Sequence, residues 1–244
     1  MKETVSLLGI PFLPMTAEES RKKLTALLAS PPPARRIYTP NALILWSASR
    51  SPSLSRLLRR GDLLLPDGAG VILAAKWKGT PLPDRITGID TAEWLLRYGE
   101  KKGFSFYFLG GKPHTANAAA KRWQKELPNL RVVGCHHGYF QKSGKENHRV
   151  LAHIRQAKPD VLFVCFGFPE QERWIDRYAS SIPSLRLAMG LGGALDVWSG
   201  RLKRAPKPIQ TMGLEWLWRA IREPKRIKKL TALPRFFLAV AHER

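Results

Sequence analysis

Residues 160–174 read DVLFVCFGFPEQERW, and the first half of that stretch decides the fold. From Val161 to Phe166 six apolar residues follow one another without a polar interruption. A strand with one wet face alternates apolar and polar side chains. An unbroken apolar run needs cover on both faces, as in a parallel sheet sandwiched between helices. Gly167 and Pro169 end the run, and EQERWIDRYASS continues as a helix pattern. Working outward, the same unit recurs. RRIYTP leads into NALILWSAS, GDLLLPD into GAGVILAAKW, and FSFYFLGG into KPHTANAAAKRWQKEL. LRVVGCHHGYF leads into ENHRVLAHIRQAKP, and LRLAMGLGG into ALDVWSG. The pattern predicts an α/β fold: a doubly wound, mostly parallel, Rossmann-like sheet with a C-terminal helical appendage. Crossovers in such a sheet are right-handed, and ligands bind beyond the carboxyl ends of its strands.

Cap chemistry marks several helix ends. Thr16-Ala17-Glu18-Glu19 forms a capping box, and GIDTAEWLLRYGEKKG starts with Asp90 or Thr91 as N-cap and stops at Gly103. Pro159 ends the preceding helix at Lys158. The organisation changes near Gly200, which divides a Rossmann-like core at 1–199 from an appendage at 200–244. From Arg201 to Arg244 there are twelve Lys and Arg against three Glu, and strand signals vanish. GLEWLWRAI and KKLTALPRFFLAV read as short amphipathic helices, separated by Pro224 and kinked or split at Pro234. Leu214, Leu217 and Ile221 share one face, with Trp216, Trp218, Phe236 and Phe237 adding aromatic bulk. Such a segment suits a lipid–water interface, or packs on the core with a solvated basic face.

The 244 residues suffice for one large core. The charge balance is unusual: 41 Lys and Arg against 19 Asp and Glu, a net charge of +22. That field favours a polyanion, an acidic membrane surface or phosphorylated small molecules. The two cysteines make no disulfide framework, and Cys165 reads as a buried reduced thiol in a cytosolic protein. MKETVSLLGIPFLP carries no signal-peptide pattern, and no run approaches the roughly 20 apolar residues of a spanning helix. The expectation is a soluble or peripheral protein.

The unusual residues gather where strands end. Thr39-Pro40-Asn41 follows the first core strand, and Asp67 the second. Gly110-Gly111 follows FSFYFL, and its amides either approach a phosphate at a helix start or only form a turn. Gly192 and Gly193 in GLGGALD, with Asp196 beyond, carry the same ambiguity. Gln171 and Glu172 fall in the first turn of a helix, facing a cleft or answering the helix dipole. Arg85, Thr87 and Asp90 lie on the DRITGID loop as site residues or as turn and cap residues. His136 and His137, adjacent on a strand, point to opposite faces and make a poor metal pair. There is no G-x-G-x-x-G, Walker lysine pattern, H-E-x-x-H or G-x-S-x-G, and no Asp-x-Asp metal pair.

In combination and order, YTPNA, LPDGAGV, RITGID, FLGG, GFGFPEQE, GLGGALDVWSG, RAP and GLEWLWR…EPKR resemble the WecG/TagA/CpsF glycosyltransferases, from about Gly9 to Lys229. The resemblance implies inverting transfer of an N-acetylmannosamine-type sugar from UDP to polyprenyl-diphosphate-linked N-acetylglucosamine. It serves the linkage unit of wall teichoic acid, or, with UDP-ManNAcA or another UDP-hexose, common antigen or exopolysaccharide. It further implies Asp67 as catalytic base and Thr39 as its polar partner, with Asn41 beside them. Gln171 matches an active-site glutamine. Arg219 and Arg226 match arginines that close over the diphosphate, and Lys229 stands where an Arg is usual, keeping charge without the bidentate fork. Glu170 replaces a common Lys, and RAPKPIQ lacks the usual Trp before its Gln. No cofactor or metal is expected; the partners are the UDP-sugar, the lipid-linked acceptor and an anionic membrane at the inner face of the cell membrane. A homo-oligomer is compatible with the apolar appendage. A nucleic-acid-binding protein is the rival class on charge, but no reader motif is present. A nicotinamide-dependent oxidoreductase is the second rival, and its fingerprint is absent.

Overall fold

The computed structural model describes residues 3–222 and 231–243, with the side chains of Arg219 and Arg222 outside that description. In chain order the elements are β1 (Val5–Leu7), β2 (Ile10–Phe12), α1 (Ala17–Ala29), β3 (Arg35–Tyr38), α2 (Ala42–Ser49), α3 (Pro52–Arg59) and β4 (Leu63–Leu64). Then come α4 (Ala69–Trp77), α5 (Gly88–Lys102), β5 (Ser105–Gly110), α6 (Thr115–Glu126), β6 (Arg131–His136), α7 (Gly144–Ala157) and β7 (Val161–Cys165). The chain closes with α8 (Glu170–Tyr178), β8 (Leu187–Gly190), α9 (Ala194–Trp198), α10 (Lys207–Thr211), α11 (Glu215–Arg222) and α12 (Ala232–His242).

Six strands form one sheet in the order β4-β3-β8-β7-β5-β6, every pair parallel. Successive side chains along a strand point to opposite faces, and both faces are buried. Tyr107 and Leu109 of β5 join one apolar cluster with Leu162 and Val164 of β7; Phe106 and Phe108 join the other with Val161 and Phe163. Helices α2, α4, α7, α8 and α12 cover the first face, and α1, α5, α6 and α9 the second. The doubly wound reading therefore holds, with a wholly parallel main sheet. From β5 the chain steps outward to β6, whereas from β7 it steps the other way to β8, so the β5–β7 pair is a point of diverging connections.

Local expectations meet mixed outcomes. Thr16 and Glu19 make both halves of the capping box, and Gly103 ends α5 in the left-handed conformation at φ 75°. The N-cap of α5 is Thr87, not Asp90 or Thr91: its side-chain oxygen accepts from the Asp90 amide, and its hydroxyl donates to the Asp90 carboxylate. Pro234 does not split α12. It sits in the first turn, where no intrahelical amide partner is lost. The predicted break at Pro224 lies outside the described residues.

Phe236 is not an interface residue. With Val240 it is buried in the cluster containing α2 and α4. Glu243 fastens the same segment to the N-terminal hairpin, accepting from the Leu8 and Gly9 amides at 2.6 and 2.9 Å and pairing with Lys78 at 3.1 Å. Among the described residues, no helix is long and apolar enough to cross a membrane.

Candidate active site

The carboxyl ends of β3, β4 and β8 meet beside the start of α5. After β4 the chain turns through Pro66 and Asp67 into α4, and the Asp67 amide donates to Pro40 O at 3.2 Å, stitching this turn to the one after β3. The Gly88 amide donates to Asp67 Oδ2 at 3.2 Å. A Cβ on Gly88 would stand 3.0 Å from Thr39 Oγ1, so the absent side chain lets Thr39 and Asp67 converge on one backbone position. Thr39, buried, donates its hydroxyl to Gly190 O at 3.3 Å. Asp67 is half-buried. Asn41 serves as N-cap of α2, its Oδ1 accepting from the Leu43 and Ile44 amides at 3.0 and 3.1 Å.

Beneath this rim lies a buried polar clamp. Gln171 Oε1 accepts from the Gly167 amide at 3.1 Å and the Gly192 amide at 2.8 Å, joining the loops after β7 and β8. Two backbone donors fix which way the amide faces, so its NH2 needs an acceptor. Glu172 Oε1 supplies it at 2.9 Å. The second Glu172 oxygen is buried without a hydrogen-bond partner. Burial accordingly raises the carboxyl to about 7, against a smaller lowering by the Gln171 bond. A Cβ on Gly190 would come within 2.8 Å of Gln171 Nε2, so only glycine permits this approach. Gln171 and Glu172 are 4% and 2% exposed. They form the floor of the site.

The remaining candidates separate by position. The Gly111 amide donates to Cys165 O at 3.2 Å, so it closes the β5–β7 edge from within. Gly192 offers its amide to Gln171, Gly193 precedes α9, and Asp196 lies on that helix 3.9 Å from Arg201 Nε. Arg85 points to the C-terminal segment, donating to Gln210 O at 2.7 Å. Asp90, exposed, pairs with Arg204 at 2.6 Å. Arg219 lies on α11, while Arg226 and Lys229 fall outside the described residues. His136 and His137 do not point apart: His137 lies past the end of β6, and the two rings approach to 4.5 Å between centroids, tilted by 42°.

Arg204 is a structural node that the sequence reading did not single out. It reaches Asp90, Glu93 at 3.8 Å and Glu215 at 3.6 Å, linking the start of α5 to the start of α11. Trp198 Nε1 donates to Glu93 at 3.0 Å, and burial raises the Glu93 carboxyl. No local signal marks this cluster, because Arg204 and Asp90 stand 114 residues apart.

A half-buried carboxylate and a hydroxyl stand at the strand ends beside the Gln171 clamp, at the place where doubly wound sheets as a class bind their ligands. Comparison with known proteins narrows the class. The chain belongs to the glycosyl transferase WecG/TagA/CpsF family, whose model matches residues 5–244. It is 34% identical over 209 residues to an N-acetylglucosaminyldiphosphoundecaprenol N-acetyl-beta-D-mannosaminyltransferase of Bacillus spizizenii, covering 85% of this chain and 79% of the relative. A protein of the same name from Bacillus subtilis is 33% identical over 85% of this chain and 79% of its own length. One from Staphylococcus aureus is 31% identical over 97% of this chain and 92% of its own.

Proposed function

We propose that the protein transfers N-acetylmannosamine from UDP-ManNAc to N-acetylglucosamine on polyprenyl diphosphate, with inversion at the anomeric carbon. The product belongs to the linkage unit of a cell-surface polymer such as wall teichoic acid. The observation that supports this most is the match to mannosaminyltransferases across 85–97% of the chain, together with Asp67 on a strand end beside Thr39.

In the proposed reaction Asp67 takes the proton of the acceptor hydroxyl. That oxygen attacks the anomeric carbon, and the bond to UDP breaks on the opposite face. General-base help of this kind contributes about 10²–10⁴-fold. Thr39 and Asn41 shape the rim next to Asp67, and the Gln171–Glu172 clamp keeps the two floor loops at fixed separation. Arg219 and Arg226, with Lys229 as a weaker anchor, compensate the charge of the departing diphosphate without a metal. Gly110, Gly111, Gly192, Gly193, Asp196, Arg85 and Asp90 bound the donor side. The basic C-terminal segment brings the site to the inner face of the cell membrane, where a lipid-linked acceptor resides.

The test is a panel of UDP-sugars offered with a short-chain lipid-diphosphate N-acetylglucosamine, following UDP release. UDP-ManNAc is expected to turn over fastest, with a rate unchanged by EDTA. Preference for UDP-ManNAcA would reassign the donor, and metal-dependent turnover would remove the arginine role.

A further inference from the structure

Helix α4 starts two residues after Asp67 and is apolar throughout except for Lys76 in its last turn: AGVILAAKW. Val71, Ala74 and Ala75 pack into the core, yet Leu73 and Trp77, one turn apart, are 56% and 64% exposed. A helix on an aqueous surface carries a polar outer face; one apolar all round needs a second apolar neighbour. Helix α12 packs beside it and shows the same anomaly. Phe236 and Val240 face inward while Leu238 is 58% exposed, and the Phe237 ring lies 6.0 Å from that of Trp77. At the other end of α4, Gly213 closes on Ala69, which places exposed Met212 next to the start of the helix. The apolar strip thus runs from the Asp67 turn along α4, about 12 Å from Ala69 to Trp77 at 1.5 Å per residue, and onto α12.

Charge chooses its occupant. Exposed Lys76 and Arg235 flank the strip, neither helix contains an acidic residue, and the adjacent Glu243 is committed to Lys78 and two backbone amides. A second copy of a +22 chain would bring like charges together here. An anionic bilayer supplies both the apolar phase and the countercharge, and Trp is suited to its interface. We propose that Leu73, Trp77 and Leu238 form a docking face for an anionic membrane, built on a core helix whose first turn adjoins Asp67. The site is thereby held with its carboxylate toward the lipid surface. This inference rests on the reading that the acceptor is lipid-linked.

The experiment is sedimentation of the full chain with vesicles of phosphatidylglycerol and phosphatidylcholine, beside vesicles of phosphatidylcholine alone. The double variant Leu73→Gln/Trp77→Gln and the single Leu238→Gln are compared with wild type and with Leu217→Gln/Ile221→Gln on α11. The α4 double variant is expected to lower partition onto the anionic vesicles at least tenfold, and Leu238→Gln about threefold. Both keep the wild-type thermal midpoint and the wild-type rate of UDP release with a water-soluble acceptor. Quenching of wild-type fluorescence by a bilayer-embedded quencher, lost in Trp77→Phe, gives a reading independent of activity. Unchanged partition of the α4 variants, or loss confined to the α11 variant, overturns the proposal. So does a wild-type dimer that the α4 variants dissociate with no change on vesicles. Absence of sugar transfer with every donor, while the α4 variants still leave the vesicles, overturns the transferase reading and not this face.

Discussion

Asp67 and Gln171 both stand just past the end of a buried parallel strand, and the difference between them is instructive. Gln171 is almost fully buried, and its amide is held by two backbone donors and one carboxyl acceptor. Asp67 is half-buried and held by the Gly88 amide where the turn opens toward solvent. A side chain locked by its hydrogen bonds below the surface can set geometry. One at the rim, within reach of an incoming hydroxyl, can exchange a proton. On the proposed mechanism, equivalent places in the topology divide into scaffold and chemistry by burial.

Replacing one side at a time tests that division. Asp67→Asn is expected to cut turnover about 10²–10⁴-fold while leaving the thermal midpoint and UDP-sugar affinity near wild type, read by steady-state kinetics and calorimetry. Gln171→Leu should behave oppositely. It strands two amides and a buried carboxyl, costing about 2–4 kcal/mol of stability in denaturant unfolding, with lost activity following from the disturbed loops.

Glu172 sharpens the scaffold side through pH. Its carboxyl is raised to about 7 in the folded chain, against 4.5 for the ordinary group. Between these values the unfolded chain has released the proton and the folded one retains it. Stability from this group is therefore present below about 4.5 and is lost as pH rises toward 7. Glu172→Gln should flatten that slope, which amounts to at most about 3 kcal/mol at 1.36 kcal/mol per unit. Matched urea titrations at pH 5 and 7.5 measure it. The smallest expected effect is at Arg204. Arg204→Gln removes a partly buried ion cluster and should cost about 1–2 kcal/mol, appearing as faster amide exchange in α11 with the sheet unaffected.

The sheet was legible because burial on both faces leaves unbroken apolar runs, as in Val161–Cys165 and Phe106–Leu109. The β1–β2 hairpin was not, because its turn is Leu8-Gly9, with Leu8 at φ 49° in place of the usual Asn or Asp. Helix α3 has a good start signal in Ser51-Pro52, but its eight residues lie between two stronger units. Asp67 and Thr39 were legible as polar residues at strand ends. The orientation of Gln171, the partnerless oxygen of Glu172 and the Arg204 cluster were not, since each depends on residues brought together only by folding. For the C-terminal aromatics the sequence left lipid and core cover open, because an amphipathic pattern does not say which covers the apolar side; Phe236 takes the core.

The most direct test of the account is a structure of the protein with UDP and an acceptor analogue bound. It should place the acceptor hydroxyl within about 2.6–3.2 Å of an Asp67 oxygen, with the Gln171 side chain still on Gly167 and Gly192. A hydroxyl met by another side chain, with Asp67 unable to approach it, would contradict the assignment.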